Sequence, residues 1–280
     1  MPKSVGTGAF YRLVGGLHER TRRGPEQASD GVEATVEPTP DSAGPWRPDA
    51  QHGGPPAALL AWSIEALPEA SDAVVGRFTM ELWGPVPLAP LRVAAHVVRP
   101  GRSVSLARAE LVDIDRDRVV ATAQAWLFPT SSTGPSAPSG ALPHGPDDGV
   151  PHERPATWNG GYLDAMEWRW ITGAVDQPGP GVVWMRSPAL VDGHAISPVQ
   201  RLLACVDSAS GVSAALDVTE WGFLNTDLTV HLLRPPVGEW LCLDAETALG
   251  PGSVGIATSA VYDELGLVAR SAQALLVVER

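Results

Sequence analysis

The feature that most constrains this chain is that it states the same pattern twice. Residues 119–128 can be laid on residues 267–276 with a one-residue gap, so that Ala123-Gln124-Ala125 falls on Ala272-Gln273-Ala274. Upstream, Pro100-Gly101 and Pro251-Gly252 each precede an apolar run that ends in an acidic turn, at 113–117 in one half and 262–266 in the other. Gly84-Pro85-Val86 then corresponds to Pro235-Pro236-Val237, and Leu59-Leu60-Ala61-Trp62 to Leu202-Leu203-Ala204-Cys205. The order is the same in both halves. A repeat of this length means one folding unit used twice, so any architecture must be built from two similar pieces.

Each piece reads as a strand pair, a helix and an antiparallel meander. In the first, strands are expected over 10–19 and 34–38, and Leu59, Leu60, Ile64 and Leu67 have the spacing of a helix over 55–67. Pro55 and Pro56 fit its first turn, where a missing amide hydrogen costs little. Strands follow over 74–83, 91–98, 103–112 and 119–128. In the second piece, Met166, Trp168 and Trp170 alternate with Glu167 and Arg169 in a strand over 163–172, paired with one over 182–186. One long helix is expected over 198–216, then strands over 224–233, 240–248, 254–262 and 268–278. Residues 129–157 are rich in Pro, Gly, Ser and Thr and read as a connector between units 1–128 and 158–280. The class is α+β, with both units superposable and joined through their sheet edges, which need partners.

Composition removes several alternatives. The longest apolar run, 55–62, is well short of the roughly 18 residues that cross a bilayer. Residues 1–10 carry one lysine and no apolar leader core, so a cytoplasmic location and no membrane partner are expected. A net charge of −12 opposes binding to nucleic acid. The two cysteines and seven histidines show no metal-ligand spacing, and no phosphate loop or dinucleotide fingerprint is present, so neither a metal nor a cofactor is expected.

Gly53-Gly54 before the first helix, the run 197–203 opening the second, the stretch from Asp227 to Pro235 and residues 268–273 together resemble the tandem, or double, hotdog acyl-CoA thioesterases, the type II bacterial enzyme and its actinobacterial relatives. The resemblance implies two repeats, each with a long central helix wrapped by a curved antiparallel sheet. It also implies hydrolysis of acyl-CoA or a related acyl thioester to free acid and thiol, in lipid metabolism. A homodimer is a possible assembly of such a tandem pair.

Thioester hydrolysis needs a held water, a group to take its proton and donors for the carbonyl oxygen. In the family resembled, an Asp on the helix, a Thr on the next strand and a Gln on the last strand orient the water. Asp207 and Gln273 match, whereas the Thr falls on Asn225, with Thr226 next to it. Adjacent strand residues face opposite ways, so Thr226 joins the site only through a bulge or register shift. An amide both donates and accepts, so Asn225 can still hold a water. Taken one at a time, these residues fit structural roles better than functional ones; it is their joint match to the family's constellation that points to a site.

The first half offers a second set of candidates. His52-Gly53-Gly54 resembles the loop of single-hotdog thioesterases, whose glycine amides bind the thioester oxygen and whose acid follows on the helix; here that position is Ala61, and the nearest acid, Glu65, comes one turn later on the same face. His52, Gly53, Gly54, Glu65 and Thr226 are therefore the candidate substrate-binding residues. Gln124 has no Asp partner, which makes the first half the degenerate copy. Two alternatives stay open: an enoyl-thioester hydratase, although no Gly-Asp-x-Asn-Pro-x-His run is present, and a non-catalytic protein that binds an acyl thioester or small ligand.

Overall fold

The computed structural model describes residues 8–21, 30–130, 140, 142, 144–155 and 158–280. The leader reading of the first residues and part of the 129–157 connector lie outside them.

The strands join edge to edge into one fourteen-stranded sheet. In the first half, β1 (Ala9–Arg20), β2 (Gly31–Pro38), β4 (Leu91–Arg99), β5 (Ser105–Asp113), β6 (Arg118–Pro129) and β3 (Ala73–Leu82) lie side by side in that order. The second half repeats it with β7 (Glu167–Ala174), β8 (Gln177–Arg186), β12 (Leu241–Leu249), β13 (Val254–Asp263), β14 (Gly266–Glu279) and β11 (Asp227–Leu232). β3 and β11 pair antiparallel, Thr79 opposite Thr229, so the halves share the sheet. β10 (Trp221–Asn225) pairs with β14 alone. A three-residue strand, β9 (Ala189–Val191), was not anticipated. It runs parallel to β1 and is the exception in an otherwise antiparallel sheet.

Alternation fixes the inner face. Phe78 and Met80 on β3, Ala123 and Ala125 on β6, and Leu228 and Val230 on β11 are buried, while their neighbours face out. Onto this face packs α1 (Gly54–Glu65), with ten of its twelve residues buried. It lies between β4, β5 and β6 and the second-half helix α3 (Pro198–Val206). Among the described residues, no helix is long and apolar enough to cross a membrane.

Three expectations need correction. The single helix over 198–216 is two pieces, α3 and a one-turn α4 (Ala209–Val212), broken at Asp207-Ser208. The stretch read as strand from 163 begins as a short helix, α2 (Gly161–Ala165), after two glycines with positive φ. The laying of Gln124 on Gln273 puts the two residues on opposite faces, because Gln124 is exposed opposite Thr79 and Gln273 is fully buried. A match one residue out of phase survives in sequence but turns a strand side chain inside out.

Candidate active site

The break after α3 is where the buried chemistry collects. Asp207 caps the helix, and Gln273 Nε2 donates both to its backbone oxygen at 3.1 Å and to its Oδ1 at 3.0 Å. The amide thus occupies a carbonyl that a continuing helix would have used and fixes the carboxylate through the same nitrogen. Asn225 Nδ2 donates to the same Oδ1 at 2.9 Å. Gln273 Oε1 is buried with no protein partner.

On the other side stands the amino end of α1, contributed by the first half. The backbone amides of Gly53 and Gly54 lie close to the Asp207 carboxylate and favour its charged form, while the Gly54 N–H makes its hydrogen bond to His52 Nδ1. A side chain at Gly53 would collide, since a Cβ there would lie 2.6 Å from Asp207 Oδ2. The helix dipole adds to this stabilisation of negative charge. Burial nevertheless wins: it pushes the Asp207 pKa from 3.8 to about 6, against the hydrogen bonds from Asn225 and Gln273 and the amides of Gly53 and Gly54. The two glycines expected to bind a substrate oxygen thus stand beside a carboxylate of the other half.

His52 Nδ1 approaches Asp207 Oδ2 at 3.3 Å, but the two are not an ion pair. Burial drives the imidazole pKa down to about 3, so the ring is neutral. Its Nδ1 accepts from the Gly54 amide at 3.1 Å, which leaves the proton on Nε2. The ring lies flat on Tyr162, 3.7 Å between centroids, and the Tyr162 hydroxyl bonds the Ala204 carbonyl at 2.7 Å and Ser208 Oγ at 2.9 Å.

Asp207, His52, Gly53, Asn225, Thr226 and Ser208 all border one cavity of about 520 Å³. Thr226 reaches it together with Asn225 because the strand slips there. Asn225 pairs with Leu275 and Thr229 with Ala272, a one-residue change of register across the β10 to β11 junction.

Glu65 is not part of this cavity. It ends α1, about 17 Å from the glycines at a helical rise of 1.5 Å per residue. Its oxygens accept from Ser197 Oγ at 2.7 and 3.0 Å and from Gln200 Nε2 at 2.7 Å, at the start of α3. Each helix thus seats its terminal carboxylate on the amino end of the other. Tyr162 and Ser208 were missed in the sequence; Tyr162 follows two glycines and Ser208 follows Asp207, neither a distinguishing signal.

Residues 42–128 match the acyl-CoA thioesterase N-terminal domain model and residues 146–277 the acyl-CoA thioesterase C-terminal domain model. Among solved structures, a candidate thioesterase II from Thermobifida fusca is 19% identical with a TM-score of 0.69, covering 93% of this chain and 95% of that one. A conserved protein with hot dog fold from Alicyclobacillus acidocaldarius is 18% identical with a TM-score of 0.69, covering 95% and 96%. An acyl-CoA thioesterase II from Mycobacterium marinum is 13% identical with a TM-score of 0.61, covering 94% and 96%. No curated protein matches the chain significantly. These likenesses carry the hotdog fold, and the two domain models in their order carry the family. The chain belongs to the tandem hotdog acyl-CoA thioesterases.

Proposed function

We propose that the protein hydrolyses an acyl-CoA thioester to free acid and CoA, with Asp207 as general base. The observation that carries this reading is a buried carboxylate, its pKa raised to about 6, fixed by Asn225 and Gln273 beside two backbone amides at the wall of a cavity of about 520 Å³. A base poised near neutrality can both take and return a proton.

In this mechanism Asp207 accepts a proton from water as the water oxygen bonds the carbonyl carbon. Asn225 at the cavity wall orients that water, while Gln273, buried behind the wall, holds the Asp207 carboxylate. Neutral His52 donates its Nε2 hydrogen to the oxygen on which charge develops, since Gly53 and Gly54 stand beside the carboxylate. The tetrahedral intermediate then expels the thiolate, the C–S bond breaks, and the proton held by Asp207 passes to sulfur. Thr226 contacts the substrate from the bulge. The candidate role of Glu65 is withdrawn to the far end of α1, where it holds α3.

The test is thiol release from acyl-CoAs of two to eighteen carbons by the wild-type chain and by Asp207→Asn. The variant should fold, bind substrate and lose at least about 10²-fold in turnover. Undiminished turnover in Asp207→Asn would remove the general base from the proposal. Binding without release by the wild type would favour the non-catalytic alternative.

A further inference from the structure

The sheet parts beside the cavity, and a side chain outside the cavity wall accounts for the parting. In a regular antiparallel pair the N–H and C=O of one residue serve the same neighbouring strand. At Thr226 they separate: its N–H donates to the Ala274 carbonyl of β14 at 3.0 Å, while its C=O accepts from the Leu82 amide of β3 at 2.9 Å. Ala274 N–H thereby loses the carbonyl that a continuous pairing would give it, and a main-chain amide in a sheet needs an acceptor. Asp227 Oδ1 supplies one at 2.8 Å. A side-chain oxygen stands where a strand carbonyl would.

The reacting groups depend on this exchange. The slip brings Asn225 and Thr226, neighbours that a regular strand would turn to opposite faces, to the same cavity. Asn225 Nδ2 gives one hydrogen to Asp207 Oδ1 at 2.9 Å and the other to the Asp227 main-chain oxygen at 3.3 Å. Its amide is thus fixed, and Oδ1 is what remains for a water. Asp227 keeps its place against repulsion, since it lies directly opposite Glu81 across β11 and β3. What it supplies is an acceptor at the right reach, and not a charge.

We propose, resting on the thioesterase reading above, that Asp227 is a positioning residue for the reaction: its carboxylate replaces a strand carbonyl toward Ala274, and by keeping the sheet slipped there it holds Asn225 against Asp207.

The test compares Asp227→Asn, Asp227→Glu and Asp227→Ala in the full chain. Asparagine keeps the acceptor and its reach, glutamate keeps the charge and changes the reach, and alanine keeps neither. With an acyl-CoA that the wild type hydrolyses, Asp227→Asn should retain kcat within about threefold, whereas Asp227→Glu and Asp227→Ala should lose at least about tenfold in kcat with KM within about threefold. The pH profile separates positioning from general weakening. Withdrawing Asn225 removes a hydrogen bond that lowers the Asp207 pKa, so the midpoint of kcat/KM should move up in Asp227→Glu and Asp227→Ala and stay in Asp227→Asn. Equal activity in all three, an unmoved midpoint throughout, or Asp227→Glu more active than Asp227→Asn overturns the proposal. Should Asp227→Ala fail to fold, the asparagine and glutamate pair decides. Should the wild type release no thiol, the hydrolase reading falls alone, and titration of the Asp207 carboxyl by carbon NMR in the same variants decides the positioning by the same shift of midpoint.

Discussion

At the scale of single residues, the proposed site depends on one carboxylate being held away from the water that would keep it charged. Because Asp207 must be ionised to act as a base, kcat/KM should rise with pH to a plateau with its midpoint near 6. The same shift has an opposite effect on stability. Between pH 3.8 and 6 the folded chain keeps a proton on Asp207 that the unfolded chain has lost, so this group lowers stability as pH rises, by about 3 kcal/mol once above 6. Asp207→Asn lacks that dependence, and its melting temperature relative to wild type should increase from pH 4 to pH 7. A flat difference would contradict the raised pKa. Gly53→Ala tests the geometry from the other side. Its backbone φ of −69° suits alanine, so the effect comes from the new Cβ alone: by displacing the buried carboxylate the change should lower the melting temperature and cut turnover at least about tenfold.

At the scale of elements, the helices answer each other, and the prediction that belongs here separates the two carboxylates. Glu65→Ala strands the half-buried Ser197 hydroxyl and the buried Gln200 amide and should lower stability by about 1–3 kcal/mol, read by denaturant unfolding. Glu65→Gln should leave turnover within about twofold of wild type, since the residue is a helix length from the cavity. A large loss of activity in Glu65→Gln would restore the first-half site. The meander strands were legible because apolar alternation marks a strand wherever one face is buried. The helix break at Asp207-Ser208 was not, since nothing in 198–212 forbids a continuous helix. It is held open by Gln273, more than sixty residues away. The bulge at Thr226 was legible only as a condition, because register is decided jointly by two strands. Asp207 and Gln273 could be named from sequence. That Gly53 and Gly54 would serve Asp207 could not, because the partner comes from the other half.

At the scale of the whole molecule, the pairing of β3 with β11 and of α1 with α3 holds the halves together without help from the segment between them. Two separately encoded chains, residues 1–130 and 140–280, should therefore co-purify when expressed together and hydrolyse the thioester at a rate within a few-fold of the intact protein. Co-purification without activity would show that the linkage itself shapes the cavity. The seating of Asp207 on the first-half glycines also has a consequence for descent. Among the described residues the first copy places no carboxylate in the cavity, yet under the proposed mechanism it cannot drift as a spare, because its Gly53, Gly54 and His52 stand against the base proposed in the second. Selection on the reaction thus acts on both copies at once. A change in the Gly53-Gly54 loop is therefore felt at Asp207 in the other half.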